Sequence, residues 1–381
     1  MTTPFKLELR IITNMIHSKN NYLPLFIIFL LLFTTNAKSQ YLSLNPSELK
    51  KLKGIIQTEP SAQKAFSLLE NQAKIALKQK PLPIDTIVSE GHLASDPKKI
   101  KTIKSLADLT KIYALAYTYK ITDNKDYLQK CLEYIIAWAK VNQAIANPIN
   151  NTKLDPIFEA YDLIKEEVNA TDKEVIEKWF KQIAVVEIAE RRRAIRKKSA
   201  YNNWNSHKIK IVANIAYLLN DKQYMLFVDT NLKKQIAMNL YADGSGADFK
   251  ERDALHYHYY TLEPLLLTAT IIKRATGFNY YTYLSDSGSS IQKSVAFLAP
   301  YTTGEKTHAE FVNSKVAFDR KRAQNNEADY IIGSNFNPKK AMDTFIFASY
   351  FNPEYLTIVN KLAGNTAKYA NWQSLIIAVK N

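Results

Sequence analysis

Apolar side chains recur at helical spacing along almost the whole chain after residue 45, and this periodicity restricts the fold more than any other feature. Clear examples lie in residues 106–119, 209–219 and 345–351, where apolar residues repeat every three or four positions. No sustained stretch alternates with the period of two that a half-buried strand requires. Glycine is also scarce, with 9 residues in 381, whereas turn-rich β architectures need many residues that tolerate positive φ. The sequence therefore predicts an all-α fold.

Short breaks separate the helical segments, and no Gly-, Ser- or Pro-rich linker divides the chain. The breaks fall at residues 82–85, 147–151, 242–246 and 299–304. We predict one helical domain over residues 40–381. A body of this size exceeds a simple bundle, and pairing successive helices into a closed or nearly closed ring would bury their apolar faces. We therefore expect an (α/α) toroid or incomplete helical barrel.

The N-terminus has the features of a secretory signal peptide. Its apolar run, residues 22–33, has only 12 residues, which is too short for a membrane span of about 20 residues. Cleavage would follow Ala37 or Ser39. We prefer cleavage after Ser39, which makes Gln40 the mature N-terminus. The basic leader is long, so Met15 is an alternative initiator. We predict residues 1–39 as a signal peptide, a periplasmic location and no stable membrane insertion after cleavage.

The charge balance points to a polyanionic partner. Lys and Arg number 51 against 36 Asp and Glu, a net charge of +15. Removing residues 1–39 takes away four basic residues and one acidic residue, which lowers the net charge by three to +12. A basic surface attracts nucleic acid, anionic lipid or acidic polysaccharide. Secretion argues against nucleic acid, and we predict an acidic polysaccharide.

No cofactor or metal is predicted. The single cysteine, Cys131, lies in an apolar helical pattern and cannot form an intrachain disulfide, so we expect a buried small hydrophobe. His256 and His258 resemble a metal motif, but residues two apart on a helix point in different directions. No acidic residue or cysteine completes the pattern.

A first polar and aromatic cluster occupies residues 201–207, immediately before an apolar periodic segment that we interpret as an amphipathic helix. Free N–H groups and the dipole at a helix start favour an anion. Asn203 and His207 are four residues apart and would share a helix face. The alternative is an N-terminal cap with a satisfied histidine.

A second cluster runs from a glycine-containing loop into residues dense in titratable rings, over residues 243–260. Arg252 and Tyr259 are seven residues apart, about two helical turns, so a helix would align guanidinium and phenol. The alternative is core packing with buried hydroxyl partners.

A third cluster, residues 304–322, contains Lys306, His308, Glu310, Asp319 and Arg322. The alternative is a salt-bridged surface segment that ties two helices together. The basic run at residues 191–198 is either a solvated helix face or a surface that attracts polyanions.

Taken together, these residues resemble the alginate lyase family of polysaccharide lyases, especially its secreted Bacteroidetes-type members. The resemblance rests on Asn202-Asn203-Trp204, on Arg252 with Tyr259, on residues 147–162 and on residues 308–322. It spans roughly residues 85–350 and implies a helical toroid with a substrate groove. It also implies cleavage of a uronic-acid polymer, such as alginate or glucuronan, by β-elimination.

The resemblance also implies roles for individual residues. Asn203 and Arg252 would neutralise the substrate carboxylate, His207 would be a base or helper, and Tyr259 would serve as base and acid. Substrate-binding residues would be Asn202, Trp204, His256, Tyr260, Lys306, His308 and Arg322. Trp204 stands where the family more often has histidine, with His207 three residues later. Shifting the second motif by one residue would select Tyr260, with Asp253 in place of the arginine.

Two other classes stay open at the level of sequence. A helical-toroid glycoside hydrolase would use two carboxylates, for which Asp248, Glu251, Asp253 and Glu263 are candidates. A non-catalytic binding protein would use the same basic, aromatic groove without forming a product.

Overall fold

The computed structural model describes residues 41–193, 197–364 and 367–381. These residues form sixteen α-helices and several short 3₁₀ turns. The α-helices are α1 (Pro46–Thr58), α2 (Pro60–Leu77), α3 (Pro97–Thr122), α4 (Lys125–Val141), α5 (Pro148–Asn151), α6 (Asp155–Ile164), α7 (Ala170–Arg193), α8 (Asn203–Leu219), α9 (Lys222–Asn239), α10 (Ala247–Arg252), α11 (Leu255–Thr276), α12 (Ile291–Thr303), α13 (Ala317–Gln324), α14 (Met342–Ala348), α15 (Leu356–Ala363) and α16 (Trp372–Lys380). No strand occurs in the described ranges, where β pairing is limited to two isolated antiparallel bridges. The predicted all-α class is confirmed.

Helix boundaries follow local cap chemistry. Asn45 forms a capping box with Glu48 at the start of α1, so that two otherwise free backbone N–H groups are satisfied. Helices α3 and α8 end instead at left-handed residues, Asp123 with φ of 59° and Asn220 with φ of 54°. Asp and Asn tolerate this conformation better than other non-glycine residues. A chain with few glycines therefore still ends its helices sharply.

The helices close into a ring. Successive helices pack against one another, and α16 packs back onto α1 and α2. The Lys51 ammonium donates to the carbonyl of Ala378 at 3.2 Å, and Lys380 donates to the carbonyl of Leu42 at 2.5 Å. Contacts between the two ends of the described chain complete the helical toroid that the sequence predicts.

Helix α8 lies at the centre of this ring and is buried on almost every face. The sequence predicted an amphipathic helix here, yet Lys208, Lys210 and Asn214 are buried together with its apolar residues. Their polar groups are satisfied inside the protein, because Lys208 pairs with Glu190 and Lys210 pairs with Asp155. An inner helix of a toroid has neighbours on both sides, which explains why one-sided amphipathicity does not describe it.

Two predicted breaks are helical in the structure. Pro148 occupies the first turn of α5, where its missing N–H costs nothing. Pro300 lies inside α12, which ends only at Gly304 with φ of 85°. Pro264 similarly lies inside α11 and has no N–H to donate to the carbonyl of Tyr260, four residues earlier.

The N-terminal predictions lie outside the described residues. The predicted signal peptide, residues 1–39, and the periplasmic location therefore stay predictions, as does the domain boundary at residue 40. None of the helices in the described ranges combines the length and apolar character that a membrane span needs.

Cys131 is buried and unpaired, as predicted, and burial raises the pKa of its thiol.

Burial of His258 makes stability depend on pH. Its Nε2 lies 2.9 Å from the carbonyl of Ser294, and burial lowers the pKa of the imidazole to about 4. Below the unfolded pKa of about 6.5, the unfolded chain binds a proton that the folded protein does not, so acidification favours unfolding. We expect the stability advantage of the wild type over His258→Gln to shrink by up to about 3 kcal/mol between pH 7 and pH 4. Denaturant unfolding at several pH values measures this difference, and a constant difference would contradict the prediction.

Candidate active site

Helices α8 and α11 pack side by side at the centre of the toroid. The first two sequence clusters lie at the N-terminal ends of these helices. Asn202 caps α8 by accepting a hydrogen bond from the N–H of Trp204 at 3.1 Å. Glu310, from the third cluster, accepts hydrogen bonds from the N–H groups of Leu255 at 2.8 Å and His256 at 3.0 Å, and so fixes the start of α11. All three clusters therefore meet at one end of the α8–α11 pair.

His207 is buried between a threonine and a tyrosine. Its Nδ1 lies 2.9 Å from the Thr152 hydroxyl, and its ring centroid lies 4.4 Å from that of Tyr260. Its Nε2 is buried without a hydrogen-bond partner. Burial, with the positive charges of Lys210 and Lys153, lowers the pKa of His207 well below its ordinary value, while the backbone carbonyl of Tyr260 acts in the opposite direction. His207 is therefore neutral at pH 7.

Tyr260, whose ring lies against His207, carries a phenol that is protonated at neutral pH. Its side chain is half-buried, and its hydroxyl forms no hydrogen bond within the described part of the chain. Burial raises the pKa of this phenol, and nearby Tyr330 and Glu263 raise it further. Tyr260 is therefore protonated at pH 7, with its hydroxyl free for a ligand.

Tyr259 faces a different environment. Its hydroxyl lies 3.2 Å from Nδ1 of His256, and its ring packs near Phe336. Burial raises the pKa of Tyr259 and lowers the pKa of His256 to about 4. The structure thus gives the Tyr259 hydroxyl an internal partner.

Arg252 is bound by a carboxylate and a phenol of the protein. Its Nε donates to Asp319 at 2.8 Å. Its Nη2 also pairs with Asp319 and donates to the Tyr257 hydroxyl at 2.6 Å. The guanidinium also stacks over the Tyr257 ring, with its central carbon 3.7 Å from the ring centroid. Its charge is therefore largely balanced by Asp319.

Arg322 joins the same arrangement from α13. Its Nη1 donates to the Tyr257 hydroxyl at 3.1 Å, so two arginines hold one phenol. Its guanidinium carbon lies 4.4 Å from the ring centroids of Phe318 and Tyr330. Its Nε is 3.9 Å from the Glu327 carboxylate. The third cluster thus extends the aromatic and basic wall of the site.

Asn203 lies in a buried hydrogen-bond network centred on Asp248. Its amide donates to Asp248 at 2.6 Å, and Asp248 also accepts from Asn239 at 2.7 Å and from Thr261 at 2.9 Å. Burial raises the pKa of Asp248, and these donors oppose the rise. The network links α8 to α9, α10 and α11.

The structure brings together some predicted site residues and separates others. His207, Tyr260, Tyr259, His256, Arg252 and Arg322 form one connected set of contacts. Lys306 is exposed, with its ammonium 5.9 Å from the ring centroid of Tyr301. His308 lies against the Asp253 carbonyl at 3.1 Å. Neither side chain contacts His207 or Tyr260 in the described ranges. Trp204 is half-buried, and within the described ranges its indole makes no ring contact with this set.

Three residues of the site were not among the predicted site residues. Thr152 lies in the segment of residues 147–162 that carries the resemblance, and membership of this segment is the signal that could have identified it. Tyr257 lies in the same aromatic run, but the resemblance points to its neighbours Tyr259 and Tyr260. Tyr330 has no sequence signal, since its place beside His256, with ring centroids 5.4 Å apart, depends on the fold. Among the described residues, no three acidic, cysteine or histidine side chains converge as a metal site.

The alginate lyase family model matches residues 55–308, which is more than half of the chain. The chain therefore belongs to the alginate lyase family. It is a polysaccharide lyase, as the resemblance of its motifs implied. No curated protein matches the sequence.

Solved structures share the fold at low sequence identity. The crystal structure of an alginate lyase from Bacteroides ovatus is 17% identical, with a TM-score of 0.65 over 89% of this chain and 98% of that chain. Alginate lyase A1-III from Sphingomonas species A1 is 18% identical, with a TM-score of 0.53 over 71% of this chain and 80% of that one. A tyrosine-to-phenylalanine variant of A1-III complexed with tetrasaccharide is 16% identical, with a TM-score of 0.55 over 71% and 79%. These likenesses confirm the helical toroid.

Removing Asp248 tests the structural importance of the buried network. Asp248→Ala would remove the acceptor that Asn203, Asn239 and Thr261 share. We expect a loss of about 3 kcal/mol or more in the free energy of unfolding, because unsatisfied buried donors cost about 1–3 kcal/mol each. Asp286, which is exposed, provides the control, and Asp286→Ala should change stability by less than about 0.5 kcal/mol. Equal losses in denaturant unfolding would show that the network contributes little.

Proposed function

We propose that this protein cleaves a uronic-acid polymer, with alginate as the first candidate, by β-elimination at His207 and Tyr260. The main support is the contact between the two rings, 4.4 Å between centroids, where a neutral imidazole with an unpartnered Nε2 meets a protonated phenol with a free hydroxyl. Membership of the alginate lyase family and a fold shared with an alginate lyase that binds a tetrasaccharide support the substrate class.

β-Elimination needs three groups in the site. A base removes the proton at C5 of the uronate, the C4–O4 bond breaks as a C4–C5 double bond forms, and an acid protonates the departing O4. The adjacent carboxylate must be stabilised by hydrogen bonds or positive charge, because the intermediate places further negative charge on it. No water is consumed, so an unsaturated sugar forms at the new non-reducing end.

In this proposal, His207 is the base and Tyr260 is the acid. Burial and two nearby lysines keep His207 unprotonated, while Thr152 fixes its ring through Nδ1. Burial keeps Tyr260 protonated. The two environments push the pKa values of base and acid in opposite directions, as proton transfer in both directions at one pH requires.

Tyr260 is preferred over Tyr259, which the resemblance pointed to first. The Tyr259 hydroxyl already has His256 as a partner, and its ring does not contact His207 in the described ranges. The role of Tyr259 in proton transfer stays a prediction, and the contacts favour packing and positioning of His256.

Arg252 and Asn203 would position other parts of the site. Arg252 and Arg322 hold the Tyr257 phenol between them, which fixes the wall beside Tyr260. Asn203 holds the first turn of α8 through Asp248. His256 and Trp204, both half-buried, would line the groove for the sugar rings.

Product analysis tests the proposal directly. The purified protein is incubated with alginate and with glucuronan, and ultraviolet absorbance is followed for the unsaturated product. New reducing ends without ultraviolet absorbance would instead indicate a hydrolase, and binding without any product would indicate a carbohydrate-binding protein.

Two conservative variants on the same helix distinguish the tyrosines. Tyr260→Phe removes only the hydroxyl, and we expect kcat to fall by a factor of about 10² to 10⁴ with little change in substrate binding. Tyr259→Phe should lower kcat by less than about tenfold, because His256 rather than the substrate is its partner. Steady-state kinetics measure both, and circular dichroism checks the fold. The opposite order of the two losses would restore Tyr259 as the proton donor.

The pH profile tests the base. Since the pKa of His207 lies well below 6.5, kcat/KM should stay level as the pH falls past 6.5 and decline only at lower pH, where His207 binds a proton. Initial rates in buffers of constant ionic strength measure the position of this decline. A decline centred at or above pH 6.5 would identify a different base.

A further inference from the structure

Lys153 occupies an unusual position beside His207. It is the middle residue of the 3₁₀ turn Thr152–Leu154, and this turn packs against α8 and α3. The preceding residue, Thr152, holds the His207 ring at 2.9 Å. Lys153 is thus one residue away from the group that positions the proposed base.

Two other cations around the site are balanced by carboxylates. Arg252 pairs with Asp319, and Lys210 pairs with Asp155. Lys153, in contrast, has no hydrogen bond and no ion pair in the described residues. Its side chain is solvent-accessible, so a ligand can reach it.

The surroundings of Lys153 make its positive charge unfavourable in the absence of a ligand. Although residue 153 is exposed, protein atoms crowd its ammonium, and this partial desolvation lowers its pKa, as does the charge of Lys210. Lys99 acts in the same direction, whereas Asp155 and Glu263 partly oppose the lowering. An accessible ammonium that is crowded by other cations is stabilised when an anion binds.

We propose that Lys153 binds the carboxylate of the uronate unit whose C5 proton His207 removes. The inference rests on the proposed function, and it assigns the neutralising charge to Lys153, because Asp319 already balances Arg252. The ammonium would contact the carboxylate directly and stabilise the negative charge that develops on it when the C5–H bond breaks. Lys210 and Lys99 would add to the attraction without contacting the same oxygen atoms.

A cysteine variant allows the charge to be removed and restored. Lys153→Cys is treated either with 2-bromoethylamine, which rebuilds an ammonium at nearly the length of lysine, or with iodoacetamide, which adds a neutral group. The native Cys131 does not interfere, because it is buried and its thiol pKa is raised. Lys101, an exposed residue on α3, provides the control variant Lys101→Cys.

Two measurements are made on each protein. Binding of an alginate oligosaccharide by calorimetry should weaken about 10- to 100-fold in Lys153→Cys, as expected for a lost hydrogen bond between charged groups. Formation of unsaturated product should fall about 10²- to 10³-fold in kcat/KM. The 2-bromoethylamine product should recover most of both, the iodoacetamide product neither, and Lys101→Cys should match the wild type.

The outcomes distinguish this inference from the proposed function. Wild-type binding and turnover in Lys153→Cys would show that Lys153 is not the carboxylate site, while β-elimination stands. Binding that depends on the charge at residue 153, with no unsaturated product even from the wild type, would support the site and overturn the lyase chemistry. Equal recovery with both reagents would show that side-chain volume matters rather than charge, and would overturn the inference.

Discussion

The burial of α8 on almost every face is the constraint on which the rest of the structure depends. A buried helix that carries polar side chains needs a partner for each of them, because unpaired buried polar groups are costly. Lys208 therefore fixes Glu190 on α7, Lys210 fixes Asp155 on α6, and Asn203 fixes Asp248 on α10. These pairs orient the surrounding helices around α8. The position of the candidate active site is thus a consequence of satisfying the polar groups of one inner helix.

The same burial sets the proton chemistry. An imidazole in water is partly protonated near neutral pH and a phenol is protonated, so residue type alone would give a weak base. Inside the toroid, desolvation and nearby lysines keep His207 neutral, and desolvation keeps Tyr260 protonated. Charge balance then decides where an anion can bind, since carboxylates neutralise Arg252 and Lys210 and none neutralises Lys153 within the described ranges. The proposed base, acid and anion site all follow from position.

The sequence was sufficient for the fold and for the regions that form the site. Helical periodicity and scarce glycine predicted the all-α class, and the clusters at residues 201–207 and 243–260 lie where α8 and α11 begin. Pairings between distant residues were beyond prediction, because Asp319 lies 67 positions from Arg252 and nothing local marks them as partners. The choice between Tyr259 and Tyr260 was beyond the sequence for a different reason. One position on a helix turns a side chain by about 100°, so spacing alone cannot decide which ring faces His207.

The closure of the ring has a consequence for how the protein matures. Lys380 reaches the carbonyl of Leu42 across 338 residues, and contacts this distant in the chain form slowly. During synthesis, α1 and α2 are made long before the helix that carries Lys380, so they lack one of their packing partners until α16 has been made. Loss of α16 would therefore leave α1 and α2, which are distant from it in sequence, exposed to proteases. Protection of α1 and α2 therefore depends on α16.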